Sequence, residues 1–311
     1  MEIIVRAKRK TFYDEGPPVH CVMILNARKI SQVIQENSEV ERLATGFQFL
    51  EGPVWNSSSG FLLFSDIPTN RIYKWVSDGS VTVFREPSGN SNGLTFDKRG
   101  HLIICEHSTR RLSILEKSGV YKVLADRYRD KRLNSPNDVV VKSDGKIYFT
   151  DPPYGIKLNE QELPFQGVYS LDPEKEKLTL LLDDFDRPNG LAFSPDEKFI
   201  YIADSSNRRH VRAFEVNSDG ILSHGCLFAE IRSELPGNPD GLKVDVEGNL
   251  YLAAAGGVWV FSAQGEHLGI INTPETPANL AWGDKDSRSL FITARTSLYR
   301  VKVKTKGVYS P

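Results

Sequence analysis

The chain repeats itself six times. "NGLTFDKRGHLIICE" begins at Asn92, "NDVVVKSDGKIYFTD" at Asn137, "NGLAFSPDEKFIYIAD" at Asn189 and "DGLKVDVEGNLYLAA" at Asp240. Two looser copies flank these, "EGPVWNSSSGFLLFSD" from Glu51 and "NLAWGDKDSRSLFITA" from Asn279. Successive copies start 41, 45, 52, 51 and 39 residues apart. Each copy opens on a polar residue followed by a short apolar run. A polar turn comes next, then a second run rich in aromatic and aliphatic residues, then two more strand-like pieces. Alternation, β-branched and aromatic enrichment and turn residues between runs are strand and hairpin signals. No helix of three turns is predicted past residue 40.

Four antiparallel strands per copy, at a period of about 40–50 residues, predict an all-β six-bladed β-propeller. A lone four-stranded sheet cannot bury both faces, whereas six packed radially can. A two-domain β-sandwich protein is the alternative, but sandwiches lack such a repeat. The last copy is one strand short when the chain ends at Pro311. "EVERLATGF", just before Glu51, is the candidate for the missing outer strand, so strands from both termini would close the ring and remove exposed edges. Residues 1–22 are basic and irregular and fit no repeat, and Met23 is a second candidate start. The expected organisation is an N-terminal extension over 1–22 and one propeller over 23–311.

Equivalent positions in a propeller meet at the axis. Glu51, Asn92, Asn137, Asn189, Asp240 and Asn279 open the six innermost strands, so they should ring one mouth of the central channel. Every member carries a side-chain oxygen, and none is a sulfur or imidazole ligand. Hard oxygen donors suit Ca²⁺ or Mg²⁺, and two carboxylates would balance a divalent charge. Asn-Gly and Asp-Gly are also turn dipeptides, but glutamate has no such preference, and Glu51 therefore favours a metal site. Fourteen or fifteen residues after the ring positions stand Asp66, Glu106, Asp151 and Asp204, then Ala254 and Ala294. Asp66 and Asp204 are expected to bond loop amides. Glu106 with His107, and "TDPPYG" from Thr150 to Gly155, are expected to form walls of a substrate pocket.

"EGPVW", "LLFSDIPTNRIYKW", "NSPNDVVVKSDGKIYFTDPPYGI", "RPNGLAFSPDEKFIYIAD" and "PDGLKVDVEGNLY" together closely resemble the gluconolactonase family, which is related to regucalcin and more distantly to the squid-type diisopropylfluorophosphatase. "FREPSG", "LADRYRDKRLNSPNDVV" and "ETPANLAWG" look like its bacterial branch. The resemblance runs from about residue 30 to the C-terminus. It implies one divalent cation in the channel, Ca²⁺ first, with Mg²⁺, Mn²⁺ and Zn²⁺ as other candidates. By resemblance the metal ligands fall on Glu51, Asn137, Asn189 and Asp240. Asp240 also carries over as the catalytic acid/base. Asn92, Asn137 and Asn279, with Glu106, His107 and Asp151, are the substrate-side candidates. Regucalcin has a substrate-contacting arginine where this chain has Ser135, so its sugar preference does not transfer; Lys131 and Arg132 lie nearby.

The implied reaction is metal-dependent hydrolysis of a sugar lactone, with Asp240, or else Glu106 or Asp151, as the base. No G-x-S-x-G nucleophile elbow is present. The alternatives are a promiscuous hydrolase of other lactones or organophosphates, and a calcium-binding propeller without catalysis. Formal net charge is −1, which gives no reason to expect nucleic acid or an anionic membrane as partner. The first twenty residues have no apolar core of a signal peptide. Cys21, Cys105 and Cys226 are too scattered for a disulfide framework. A cytoplasmic protein acting on a small-molecule lactone is the expectation.

Overall fold

A computed structural model describes residues 20–21, 29–35 and 38–308. Blade 1 spans residues 50–85, blade 2 91–125, blade 3 139–185, blade 4 188–230, blade 5 242–272, and blade 6 277–302. The first five are four-stranded antiparallel sheets with strands in chain order.

Blade 3 shows how the sequence builds such a unit. Val139–Val141 pairs with Ile147–Asp151, which pairs with Gln166–Asp172, which pairs with Lys177–Phe185. The first turn, "KSDG", closes when Gly145 N–H donates to Lys142 O (2.9 Å). Gly145 has a φ of 91°, which glycine adopts without steric cost. Side chains alternate across the sheet. Val139, Val141, Ile147 and Phe149 pack with Ile103, Cys105 and Leu112 of blade 2. Val140, Tyr148 and Val168 pack with Leu191, Ile200 and Ile202 of blade 4. Both faces are buried, so these strands read as near-continuous apolar runs.

The same arrangement recurs around the axis. Among the described residues each pair of adjacent blades shares one apolar cluster, including blade 6 with blade 1, where Phe291 and Leu298 meet Phe64 and Trp75. Each innermost strand also contacts the innermost strand of the next blade until the ring returns to its start. The protein is therefore a closed six-bladed propeller.

Blade 6 is completed from the other end of the chain. Val40–Thr45 pairs antiparallel with Ser297–Lys302, with Glu41 opposite Arg300. Arg300 clamps the seam, donating to Glu41 Oε2 (2.7 Å). The strand expected from "EVERLATGF" is thus the outer strand of the sixth blade. His20–Cys21 pairs with Val40 and Glu41 and extends that sheet outward. The rest of the expected extension over 1–22 lies outside the described residues.

A short hairpin, Arg127–Tyr128 with Lys131–Arg132, links blades 2 and 3. Single 3₁₀ turns occur at Ile30–Gln32 and Leu158–Glu160. Among the described residues there is no α-helix, and no helix long and apolar enough to cross a membrane.

Candidate active site at one mouth of the channel

The ring positions coincide with breaks in the innermost ladders. Strand register shifts between Glu51 and Val54, Ser91 and Leu94, Pro188 and Leu191, and Pro277 and Asn279. A bulge at a strand start re-aims a side chain, here toward the axis. The glycine after the ring residue has a second role. A Cβ on Gly52 would lie 1.8 Å from Asn92 O, and one on Gly241 would lie 2.1 Å from the Asn279 amide. The "NG" and "DG" dipeptides are therefore places where neighbouring inner strands touch. Blades 3 and 6 depart from this, with Asp138 and Leu280 in the slot.

Five of the ring side chains are buried and Asp240 is half-buried. Asn279 braces the acids, its Nδ2 donating to Glu51 Oε2 (3.2 Å) and Asp138 Oδ2 (3.4 Å) while its Oδ1 accepts Leu280 N–H (2.8 Å). Asp138 is a third carboxylate at the centre, buried, and absent from the sequence-based candidates. Asn137 is anchored by its main chain, through N–H to Thr150 O and through O to Gly93 N–H, both 2.8 Å.

Two amides are oriented by residues one step beyond the strand exit. Asn189 Nδ2 donates to Ser205 Oγ (2.9 Å), and Ser205 donates to Pro239 O beside Asp240. Asn92 Nδ2 lies 3.2 Å from His107 Nε2. Burial pushes the His107 pKa down to about 4, so the ring is neutral near pH 7 and its unprotonated nitrogen can accept. With both Nδ2 groups engaged, the Oδ1 atoms of Asn92 and Asn189 have no partner among the described residues, and neither does Asp240 Oδ1.

The acids are strained by proximity. Burial pushes Glu51 up to about 7, and the Asp138 charge adds to this; Gly52 N–H, Asn279 and Lys243 oppose it. Burial, then the charges of Glu51 and Asp138, hold Asp240 well above the usual carboxylate range.

The strand-exit acids behave differently. Asp66 accepts Phe49 N–H (3.0 Å) and Asp204 accepts Arg187 N–H (3.1 Å), as expected. Asp151 turns out the same: its two oxygens accept the Asn134 and Ser135 N–H groups, each at 2.7 Å. Glu106 is a buried hub that accepts from Arg111 (2.8 Å), Ser113 (2.5 Å), Thr109 and Tyr121. Neither presents a free oxygen to a pocket, because loop amides and neighbouring hydroxyls compete for it. Ser135 Oγ accepts Gly155 N–H (2.8 Å), which seats the "PPYG" loop against His107. Tyr154 stands on that loop, 41% exposed, within reach of Ser205, Asn189 and Asp240.

Residues 49–296 match the family described as the SMP-30/gluconolactonase/LRE-like region. The chain belongs to that family. A gluconolactonase of Zymomonas mobilis is 35% identical over 305 residues, covering 90% of this chain and 85% of that protein. A solved gluconolactonase of Xanthomonas campestris superposes with a TM-score of 0.82 at 33% identity, covering 97% of this chain and 99% of the other. A regucalcin of Agrobacterium tumefaciens, a calcium-binding protein, shares the fold with a TM-score of 0.75 at 21% identity over 87% of this chain and 95% of its own.

The donors that the central residues offer are oxygens. The charge of Asp138 acts on both Glu51 and Asp240, and that of Glu51 on Asp240, while Lys243 opposes it at Glu51. Orphaned buried polar atoms are costly, and three of them here are oxygens. No group of three or more His, Cys, Asp or Glu side chains suited to a metal occurs among the described residues. A cation here would depend on asparagine amides, which suit Ca²⁺ or Mg²⁺ better than Zn²⁺.

Proposed function

We propose that this chain hydrolyses a sugar lactone of the gluconolactone type, with a divalent cation, Ca²⁺ first, held by Glu51, Asn137, Asn189 and Asp240. The observation that carries this reading is the set of oxygens on Asn92, Asn189 and Asp240 without a partner among the described residues, near enough to Glu51 and Asp138 for those charges to act on Asp240. When bound, the cation supplies Lewis acidity toward a lactone carbonyl.

The chain's own residues supply the rest. Ser205 and His107 hold the two amides so that their oxygens face the channel. Asn279 fixes Glu51. Asp240 would take the proton from the attacking water on Oδ1, which has no partner among the described residues, and return it to the ring oxygen as the acyl C–O bond of the lactone breaks. Glu106 and Asp151 direct their oxygens to internal donors, which disfavours them as the base. A cation bound beside these carboxylates would pull the Asp240 pKa back down and favour its ionised form. Tyr154 stands at the mouth, where a sugar hydroxyl would meet its phenol. The named activities of the Zymomonas and Xanthomonas relatives support the same substrate class.

The test is proton release from glucono-1,5-lactone above the spontaneous rate, with and without chelator, and with Ca²⁺, Mg²⁺, Mn²⁺ and Zn²⁺ restored singly. Chelator-sensitive acceleration that Glu51→Gln and Asp240→Asn abolish is expected. Full activity after chelation, or in either variant, would overturn the mechanism.

A further inference from the structure

One lysine stands in the bore of the propeller. Opposite the residue three before each strand exit, the innermost strands carry Val54, Thr95, Val140, Ala192, Lys243 and Ala281. These positions line the channel on the side of the ring away from the candidate active site. Five are buried and uncharged, and the sixth is a half-buried lysine. The backbone of blade 5 fixes where its ammonium lies. Gly241 O accepts Ala253 N–H (2.9 Å) and Asp245 N–H donates to Asn249 O (3.0 Å), so the odd-numbered residues of this innermost strand bond their own blade. The even-numbered residues between them face off the free edge. On that edge Val244 O accepts Trp282 Nε1 (2.8 Å) and Val308 N–H (3.1 Å). Leu242 O, two residues nearer the ring, accepts Lys243 Nζ (3.0 Å). The side chain therefore turns back along its strand, and its ammonium sits between the ring and a floor made by Trp282 and Val308. At about 3.3 Å per residue, Leu242 is about 7 Å along the strand from Asp240. Among the described residues Leu242 O is the one hydrogen-bond partner of Lys243, and no carboxylate pairs with it.

Filling the bore would be served by an uncharged side chain, since methionine occupies similar space without desolvating an ammonium. The counter-charge lies at the ring. Asn279 Nδ2 reaches Glu51 (3.2 Å) and Asp138 (3.4 Å) together, and the Asn279 amide lies against Gly241, the residue between Asp240 and Leu242. The ammonium on Leu242 O is thus one residue along the strand from the contact that braces the acids. Its charge favours ionised Glu51. Glu51, Asp138 and Asp240 carry three negative charges when ionised; one divalent cation and one ammonium carry three positive ones.

We propose that Lys243 is the resident cation of the channel: it completes the charge of the three acids so that the ring takes one divalent ion, and it sets the preference for a divalent over a trivalent ion of similar size. This rests on the cation site of the reading above. An ammonium held behind the ring repels an incoming ion in proportion to that ion's charge. It therefore weakens binding of every cation, and of the more highly charged ones most.

Cation binding can be measured with no lactone present. Ca²⁺ and Tb³⁺, both hard ions that take oxygen donors, would be titrated by calorimetry into the full chain stripped of divalent cations, and into Lys243→Met and Lys243→Gln. Removing the ammonium is expected to tighten Ca²⁺ binding about tenfold or more. Repulsion scales with ionic charge, so Tb³⁺ should gain the three-halves power of the same factor, about thirtyfold where Ca²⁺ gains tenfold. The two variants differ in polarity and share the lost charge, so both should show the effect; where one fails to fold, the other decides. Unchanged affinities, looser Ca²⁺ binding, or an equal gain for both ions would overturn the role of Lys243, because a lysine that only fills space would not move the Tb³⁺ to Ca²⁺ ratio. Lysine variants that shift this ratio as expected in a protein that hydrolyses no lactone would overturn the activity instead and leave the role of Lys243 standing.

Discussion

Gly241→Ala tests whether the ring is built by close approach of inner strands. The φ of Gly241 lies outside the left-handed region, so alanine meets no backbone objection there. The objection is steric: the new Cβ would lie 2.1 Å from Cγ and Oδ1 of Asn279 and 2.7 Å from its Cα. Asn279 is buried and pinned through Leu280 N–H, so it has no free direction in which to swing. Overpacking of this kind costs about 1–3 kcal/mol. Displacing Asn279 also weakens its bonds to Glu51 (3.2 Å) and Asp138 (3.4 Å), long bonds worth about 1 kcal/mol each. Alanine returns about 0.4–1 kcal/mol by restricting the unfolded chain. The net loss is about 2–5 kcal/mol. Urea unfolding should show a lower midpoint at unchanged slope, and lactone hydrolysis should fall with it because Glu51 loses its brace. A loss under about 1 kcal/mol, within the range of an ordinary surface change, with activity intact would refute the reasoning.

Protein stripped of divalent cations should lose stability as pH rises from 4.5 to about 7, because burial and Asp138 disfavour ionised Glu51, with Lys243 opposing. Burial raises Asp240 and Asp151 in the same direction, so Glu51→Gln should raise stability at about pH 8 by roughly 3 kcal/mol and make the slope shallower without removing it; an undiminished slope in urea midpoints would contradict this. His107→Ala removes the acceptor that orients Asn92, a substrate-side amide, so kcat/KM should drop about tenfold, the size of one lost charged or polar contact. His107→Gln, whose carbonyl can accept, should restore part of it. Phe291→Ala empties the contact between blades 6 and 1, where the ring packs on Trp55 and Trp75; thermal or urea unfolding should show a loss of about 3–5 kcal/mol.

The fold was legible because each blade poses the same packing problem. Six copies of one hairpin pattern leave few ways to bury both faces, and the sixth copy's missing strand pointed to Val40–Thr45. Ring membership was legible for the same reason: Glu51 stands in a repeat position held elsewhere by Asn or Asp. The roles of Glu106 and Asp151 were not. Whether a strand-exit acid faces a pocket depends on which loop amides turn toward it, and no local pattern at Asn134 or Ser135 announces that. His107 and Ser205 share an offset one step past the exit, at Asn92 plus fifteen and Asn189 plus sixteen. That offset could have marked them as amide holders, had the repeat been followed one residue further.

Asp138 is the more instructive omission. Four of the other blades place glycine after the ring residue, because the next strand is in contact there. Blade 3 puts a carboxylate in that slot, and it points at Gly93, which has no side chain to resist it: a Cβ there would lie 2.8 Å from Asp138 Oδ1. The carboxylate is thus accommodated by a neighbour's glycine and held by Val139 N–H (2.9 Å) and Asn279. Packing does not ask for it, and its charge raises the cost of ionising both Glu51 and Asp240. A buried like-charge cluster is a liability for the fold alone. It becomes an asset once a divalent cation is bound, because the same repulsion that weakens the empty ring then adds to affinity. On the proposed cation site, the break in the glycine pattern, "ND" among "NG" and "DG", would serve binding, and Asp138→Gly, which restores the pattern, should strengthen the chelated fold while weakening its hold on Ca²⁺. A variant that gained in neither direction would show Asp138 to be a passive passenger of blade 3.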